Sequence, residues 1–258
     1  MTTIQLEVRA GFANRLRATV SGITAARDMG CPIEVYWPYE PTFVGSFRDF
    51  FDASESDVYD LVTFASPLKE AFPQRTCLSP DDWAIESKNG GHINIRSYGH
   101  FYQKNPAAWL QTLRSLKPLE AYRYTVEAAF KGYSKPVGVH IRRGDHVHSI
   151  RESPTKEFMK RMDAYPSDTM FFLATDSPIE RDYIVSRYPG RVLKLAKTLT
   201  RGTTAGCADG FLDFLGLSRC SEILGSYASS FSEMAAAYGG CPLTVVRSNP
   251  DELSQIVG

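Results

Sequence analysis

Short apolar runs alternate with longer stretches in which apolar residues recur at helical spacing. Ile4 to Val8 is a strand-length run followed by the loop Arg9-Ala-Gly-Phe-Ala-Asn14. From about Arg15 onward Leu16, Val20, Ile23 and Ala26 fall on one helical face. Gly30 stands where a helix ends. Ile33 to Trp37 is the next strand, stopped by Pro38, which completes one βαβ unit.

From Pro38 to Gly91 the pattern is irregular, with a strand reading only at Val58 to Phe64. His92 to Arg96 is a further strand. Asn105-Pro106 opens a helix with proline at its first position, and Leu119 to Phe130 forms another that Gly132 ends. Beyond Pro136 the alternation is regular. Strands are expected at Val137–Ile141, Met170–Ala174, Arg191–Leu195, Glu222–Leu224 and Leu243–Val246. Helices are expected from Ser153-Pro154 to Tyr165, from a Ser177-Pro-Ile-Glu180 capping box, over Asp209–Leu217, from a Ser230-to-Glu233 cap, and over Pro250–Ile256. Strands alternating with helices give an α/β chain with parallel sheets. The Gly132–Lys135 turn divides it into an N-terminal part, 1–132, and a nearly complete doubly wound part, 133–258.

Composition narrows the function classes. Lys plus Arg equals Asp plus Glu at 29 each, so the chain has neither the broad basic field of a nucleic-acid binder nor a polybasic membrane patch. The N-terminus has no charged start before an apolar region, and no apolar run reaches membrane-spanning length. The five cysteines contain no C-x-x-C pair, which suits reduced thiols and a cytoplasmic location. Cys31, Cys220 and Cys241, beside apolar segments, are expected in the core.

Four segments carry polar chemistry where strands end. His140-Ile-Arg-Arg-Gly-Asp145 lies at the carboxyl end of a strand, the edge at which open α/β sheets bind ligands. Two guanidinium groups there make a phosphate clamp, or else a surface charge cluster beside a buried histidine. Asp213 is followed by Ser226-Tyr-Ala-Ser-Ser230 at a strand-to-helix turn, where a helix N-terminus takes phosphate or a serine simply caps. Gly11-Phe-Ala-Asn14 precedes the first helix. It is neither G-x-G-x-x-G nor a P-loop, and Asn14 is placed to cap. Asp176-Ser177 closes another strand and caps or serves the site.

Together these segments resemble the α-1,2/α-1,6/protein-O-fucosyltransferase superfamily. Gly138 to Asp145 looks like its arginine motif, Ala174 to Ser177 its second motif, and Asp213 to Ser229 its third. Gly11-x-x-Asn14-Arg-Leu-Arg17 is similar to the loop that opens its acceptor domain. The likeness covers about 135–240, with a weaker match over 1–30. It implies a GT-B fold, two Rossmann-like domains facing a cleft, the first on the acceptor side and the second holding the donor. It implies a glycosyltransferase that moves fucose from GDP-fucose to a glycan, with inversion and without a metal. No cofactor is implied beyond the GDP-sugar co-substrate. His140 and Asp213 would hold guanine. Arg142 would bind the β-phosphate, with Ser229 and Ser230 at the same phosphate. Arg143 and Asp176 would be further donor-site or structural residues, and Gly11 and Asn14 would come from the other domain. The absence of any Asp-x-Asp triplet agrees with a metal-free site. For the base, the α-1,6 branch has a glutamate at an offset that falls here on Ile150, which leaves Glu152 or Asp145.

Other readings stand beside this one. His140, Asp145, His146 and His148 make an H-x4-D-H-x-H cluster in which two histidines point the same way on a strand, as in a metal-dependent hydrolase. The two intervening arginines oppose a cation. A transferase for another GDP-sugar, or a binder without turnover, uses the same donor residues.

Overall fold

The computed structural model describes residues 3–53, 62–65, 75–76, 93–144, 146–195, 198, 200 and 202–248. The chain divides into two compact units, Met1–Tyr122 with Arg201–Ala208, and Arg123–Thr200 with Asp209–Gly258.

The first unit is built on β1 (Ile4–Val8), the helix α1 (Phe12–Met29) and β2 (Ile33–Tyr36), followed by the short β3 (Phe51–Asp52), β4 (Val62–Ala65), β5 (Arg75–Thr76) and β6 (Ile93–Ser97). The helix α2 (Pro106–Ser115) and β7 (Lys117–Pro118) close it. Its main sheet has the order β4-β2-β1-β6-β5, all parallel, while β3 and β7 form a separate antiparallel pair. The helix α1 begins at Phe12, before the expected Arg15, because Gly11 is its N-cap and Asn14 lies inside its first turn. Leu16, Val20 and Ile23 are fully buried, and Gly30 closes the helix in the left-handed conformation. At α2 the sequence signal holds in detail: Asn105 accepts from the Ala108 N–H at 3.0 Å, and Pro106 occupies the first turn.

The second unit runs α3 (Glu120–Phe130), β8 (Val137–Ile141), α4 (Val147–Glu152), α5 (Thr155–Asp163), β9 (Phe171–Thr175), α6 (Pro178–Arg187), β10 (Val192–Leu193), α7 (Thr204–Ser218, of this unit from Asp209 onward), β11 (Ile223–Ser226), α8 (Ser230–Gly239) and β12 (Leu243–Val246). The helix α3 is shared from Arg123 onward because Phe130 packs on Phe172 at 5.4 Å and Glu127 meets Arg219. The sheet order is β10-β9-β8-β11-β12, all parallel, with the winding reversing between β8 and β11. Every residue of β8 and β9 is buried, as a parallel strand covered on both faces requires. Alternation sends Val137, Val139, Ile141, Phe171 and Leu173 into a core with Phe158, Met162, Ile184 and Tyr188. The even-numbered residues face the other way, so Gly138 meets Leu217 and Cys220, and His140 meets Phe231.

Several local readings change. The expected helix from Ser153-Pro154 is α5, starting at Thr155 with Pro154 as its N-cap, and a further short helix, α4, precedes it. The expected Ser230 cap is one residue late, because Ser229 is the N-cap of α8. Ser177 does cap α6, but Glu180 does not close the box; its carboxylate is taken by Arg143 and Thr155. Cys31, Cys207 and Cys220 are buried free thiols, whereas Cys241 is partly exposed. Cys77, and the helix expected over 250–256, lie outside the described residues. Among the described residues no helix is long and apolar enough to cross a membrane.

Candidate functional site

In the second unit the strand ends of β8, β9 and β11 bring together residues far apart in sequence. The point between β8 and β11, where the winding reverses, is where ligands settle in open α/β sheets. His140 stands there, 5% exposed, with its ring 5.0 Å from Phe231. Among the described residues its buried Nδ1 has no hydrogen-bond partner. Burial first, and the neighbouring Arg142 charge second, push its pKa down to about 3. A neutral imidazole with a buried, unsatisfied nitrogen suits a neutral ligand edge. Phe231 also meets Phe214, which follows the buried Asp213 on α7.

Arg142 leaves the strand with its backbone N–H donating to Ser226 Oγ at 2.9 Å, while that hydroxyl donates to the His140 carbonyl at 3.2 Å. One serine thus stitches the ends of β8 and β11 together. The guanidinium of Arg142 pairs through Nη1 with Asp176, whose other oxygen accepts from the Arg143 N–H at 2.7 Å. Gly144 closes this corner with φ +43°, and a Cβ there would lie 2.8 Å from Asp176 Oδ2 and 3.2 Å from Arg142 Nη1. Gly144→Ala therefore strains the backbone and displaces the ion pair together. Thermal unfolding and GDP titration of this variant are expected to show a lower Tm and a weakened affinity for GDP. An unchanged pair of values would mean that the corner is not held as described.

The turn from β11 into α8 is fixed by two serines of the α4 region, Ser149 and Ser153. Ser149 Oγ donates to the Tyr227 carbonyl at 2.7 Å, and Ser153 Oγ accepts from the Tyr227 N–H at 2.8 Å. With both sides of Tyr227 held, Ala228 takes a positive φ of 53° and Ser229 becomes the N-cap. Ser229 is 6% exposed and makes no side-chain cap bond. Its hydroxyl and the N–H groups of the first turn of α8 form a polar corner at the positive end of the helix, with Ser230 as the first helical residue. Only the loop geometry reveals these bonds: Ser149 carries no sequence pattern, Ser153 reads only as a helix opener, and Ser226 reads only as the start of the serine-rich turn.

The structure separates other residues from this group. Arg143 is turned into the fold. Its Nε donates to Glu180, Nη2 to Thr155 Oγ1, and Nη1 to the carbonyls of Arg142 and Ser153. A guanidinium committed to four partners does not serve as the second jaw of a phosphate clamp, which leaves Arg142 as the candidate of the two. Glu152, expected as a base, is bridged by Arg151 and Arg247 instead. The hydrogen bonds from Arg247 and then Arg151 hold its carboxyl below the ordinary range, which makes it a poor proton acceptor. Asp145 lies outside the described residues. His146 and His148 do not align on a strand. They sit at the start of α4, where His146 Nδ1 accepts the Ser149 N–H at 3.1 Å. Among the described residues no three His, Cys, Asp or Glu side chains are grouped to hold a metal.

Gly11 and Asn14 belong to the first unit, at the carboxyl end of β1. Asn14 does not cap α1; its Oδ1 accepts from Arg17 at 2.6 Å. Arg15 is fully buried, donating to the carbonyls of Ala10 and Pro38 and paired with Glu40.

No family model and no curated protein matches the sequence. Solved structures do match. NodZ α-1,6-fucosyltransferase co-crystallised with GDP aligns over 91% of this chain and 92% of its own at 17% identity, with a TM-score of 0.64. POFUT1 in complex with GDP-fucose aligns over 96% and 98% at 9% identity, with a TM-score of 0.57. A mutant of Arabidopsis thaliana FUT1 in complex with GDP aligns over 96% of this chain and 71% of its own at 10% identity, with a TM-score of 0.58. At these identities the likeness is one of fold: the two parallel, Rossmann-like sheets are those of the GT-B class.

Proposed function

We propose that the chain is a glycosyltransferase that moves a sugar, fucose in the first place, from a GDP-sugar to a glycan acceptor, with inversion and without a metal ion. The observation that carries this reading is Arg142 at the reversal point of the second sheet, its guanidinium anchored by Asp176 and its backbone tied to Ser226 at the end of β11, the strand that leads into α8. Solved proteins of the same fold hold GDP and GDP-fucose, which supports the choice of nucleotide.

Each role follows from the chemistry of the group. His140 and the buried carboxyl of Asp213 meet guanine, the carboxylate accepting from the ring N–H and the amino group. Negative charge grows on the diphosphate as the sugar–oxygen bond breaks. Arg142 keeps its charge throughout and stabilises the departing β-phosphate. The Ser229 hydroxyl and the N–H groups of α8 take further phosphate oxygens. Asp176 orients Arg142 and does not itself face phosphate, since two anions repel. Fixed cations and dipoles thus do what a metal does in enzymes with an Asp-x-Asp triplet, which this sequence lacks. Asp145 is the remaining candidate for the base that accepts the acceptor's proton. Gly11 and Asn14 sit on the acceptor side.

Calorimetric titration in EDTA tests the donor reading. GDP and GDP-fucose are expected to bind, and UDP at least about tenfold more weakly, because a site cut for a purine edge leaves polar groups unpaired with a pyrimidine. GDP binding that appears only on adding a divalent cation would overturn the metal-free reading. Turnover of GDP-mannose in preference to GDP-fucose would replace the sugar and keep the site.

A further inference from the structure

At the carboxyl-end edge of the first sheet, where its winding reverses between β1 and β6, five charged side chains interlock. Glu7, at the end of β1 and 4% exposed, pairs with Arg9 and with Arg96 of β6, its register partner. Glu40 pairs with Arg9 and Arg15 and accepts from the Ala10 N–H at 2.9 Å. Three guanidinium groups meet two carboxylates, so among the described residues the cluster keeps one positive charge (3 − 2 = +1).

That surplus is borne at Arg96. Arg15 is buried, and Arg9 spends its nitrogens on both glutamates. Arg96 gives only Nε to Glu7, at 3.0 Å, and its side chain is 34% exposed. Among the described residues, its Nη1 and Nη2 have no partner. A guanidinium held at Nε by a buried carboxylate presents its outer fork already oriented, the geometry that receives a planar anion bidentately. Two exposed tyrosines stand close in sequence to members of the cluster: Tyr39, beside Glu40 after β2, at 64% exposed, and Tyr98, two residues after Arg96, at 44%. Each loop therefore brings one aromatic ring and one member of the charge cluster to the same edge. Flat rings beside fixed polar groups suit a ring-shaped ligand with apolar faces and polar rims, as a saccharide has.

We infer that this edge binds an acidic saccharide acceptor, with the Arg96 fork on its carboxylate and Tyr39 and Tyr98 against its ring faces. The assignment of an acceptor to this unit rests on the glycosyltransferase reading above. Its charge preference does not.

The test is direct binding without donor. A disaccharide ending in glucuronate is titrated against the wild-type chain beside its neutral glucose counterpart, with GDP titrated separately. The acidic sugar is expected to bind about tenfold more tightly, with the preference shrinking as salt rises. In Arg96→Met the preference disappears while GDP affinity is unchanged. Arg96→Lys, with a charge but no fork, keeps part of it. Equal binding of the two sugars by the wild type, or an undiminished preference in Arg96→Met, overturns the inference. GDP failing to bind while the acidic sugar does would sink the donor reading alone.

Discussion

Arg142→Ala lowers the affinity for GDP by about ten- to a hundredfold, the 1.5–3 kcal/mol of a lost charge-assisted phosphate contact. The loss sits at the upper end of that range for a reason visible in the site. Arg142 and Asp176 have side chains only 15% and 16% exposed. Removing the arginine leaves a carboxylate uncompensated where the diphosphate is to settle, so repulsion adds to the missing attraction. Asp176→Asn in the Arg142→Ala background accordingly recovers part of the affinity, although alone it loosens Arg142 and weakens binding. Arg143→Ala behaves differently. It strips donors from Glu180, Thr155 and two carbonyls, so it lowers Tm, while the protein that remains folded still binds GDP. Calorimetry and thermal melts on the three variants separate the roles. A change of less than about threefold for Arg142→Ala would remove this residue from the phosphate site.

Adjacent arginines in one motif thus have opposite fates, and the sequence does not distinguish them. Strand alternation orients residues within β8, but the chain leaves the strand at Arg142, where period-two logic ends. What turns Arg143 inward is Glu180, on a helix that begins after the next strand, together with Thr155. Glu180 was legible only as half of a capping box, and the tertiary pairing with Arg143 outcompeted that local bond. The same limit applied to Glu152, whose partner Arg247 lies beyond the last strand. The strands β1, β8 and β12 matched their expected bounds because their apolar runs are bracketed by loops and Pro. The short helix α4 was missed because its polar residues carry no helical stripe. What holds it is long-range: Ser149 and Ser153 bond to Tyr227. The charge cluster around Glu7 was invisible for the same reason, being assembled from β1 and the loop after it, α1, the segment after β2, and β6.

One buried histidine, His140, and one half-buried histidine, His100, make the fold sensitive to mild acid, one in each unit. His140 is held down to about 3 by burial and then by Arg142; His100 is held down to about 4 by burial and then by Arg17. Among the described residues neither buried Nδ1 has a partner, and His100 packs on Trp109 at 4.5 Å. Folded-state values below the unfolded value near 6.5 mean that the unfolded chain binds the proton first. The stability is therefore complete above about pH 6.5 and drains away as pH falls towards the folded values. Between pH 6.5 and pH 5, above the range where most carboxylates titrate, His140 alone removes about 2 kcal/mol, and the partly exposed His100 removes less. That is a large share of the ~5–15 kcal/mol that holds a typical domain. Melting curves from pH 7.5 to 5 are expected to show Tm falling steadily once pH passes below 6.5. His140→Gln flattens the part due to the second unit, and His100→Gln the part due to the first. A wild-type Tm that does not move between pH 7 and pH 5 would mean that both rings reach solvent. The neutral, unsatisfied His140 imidazole assigned to the guanine edge would then have to be given up.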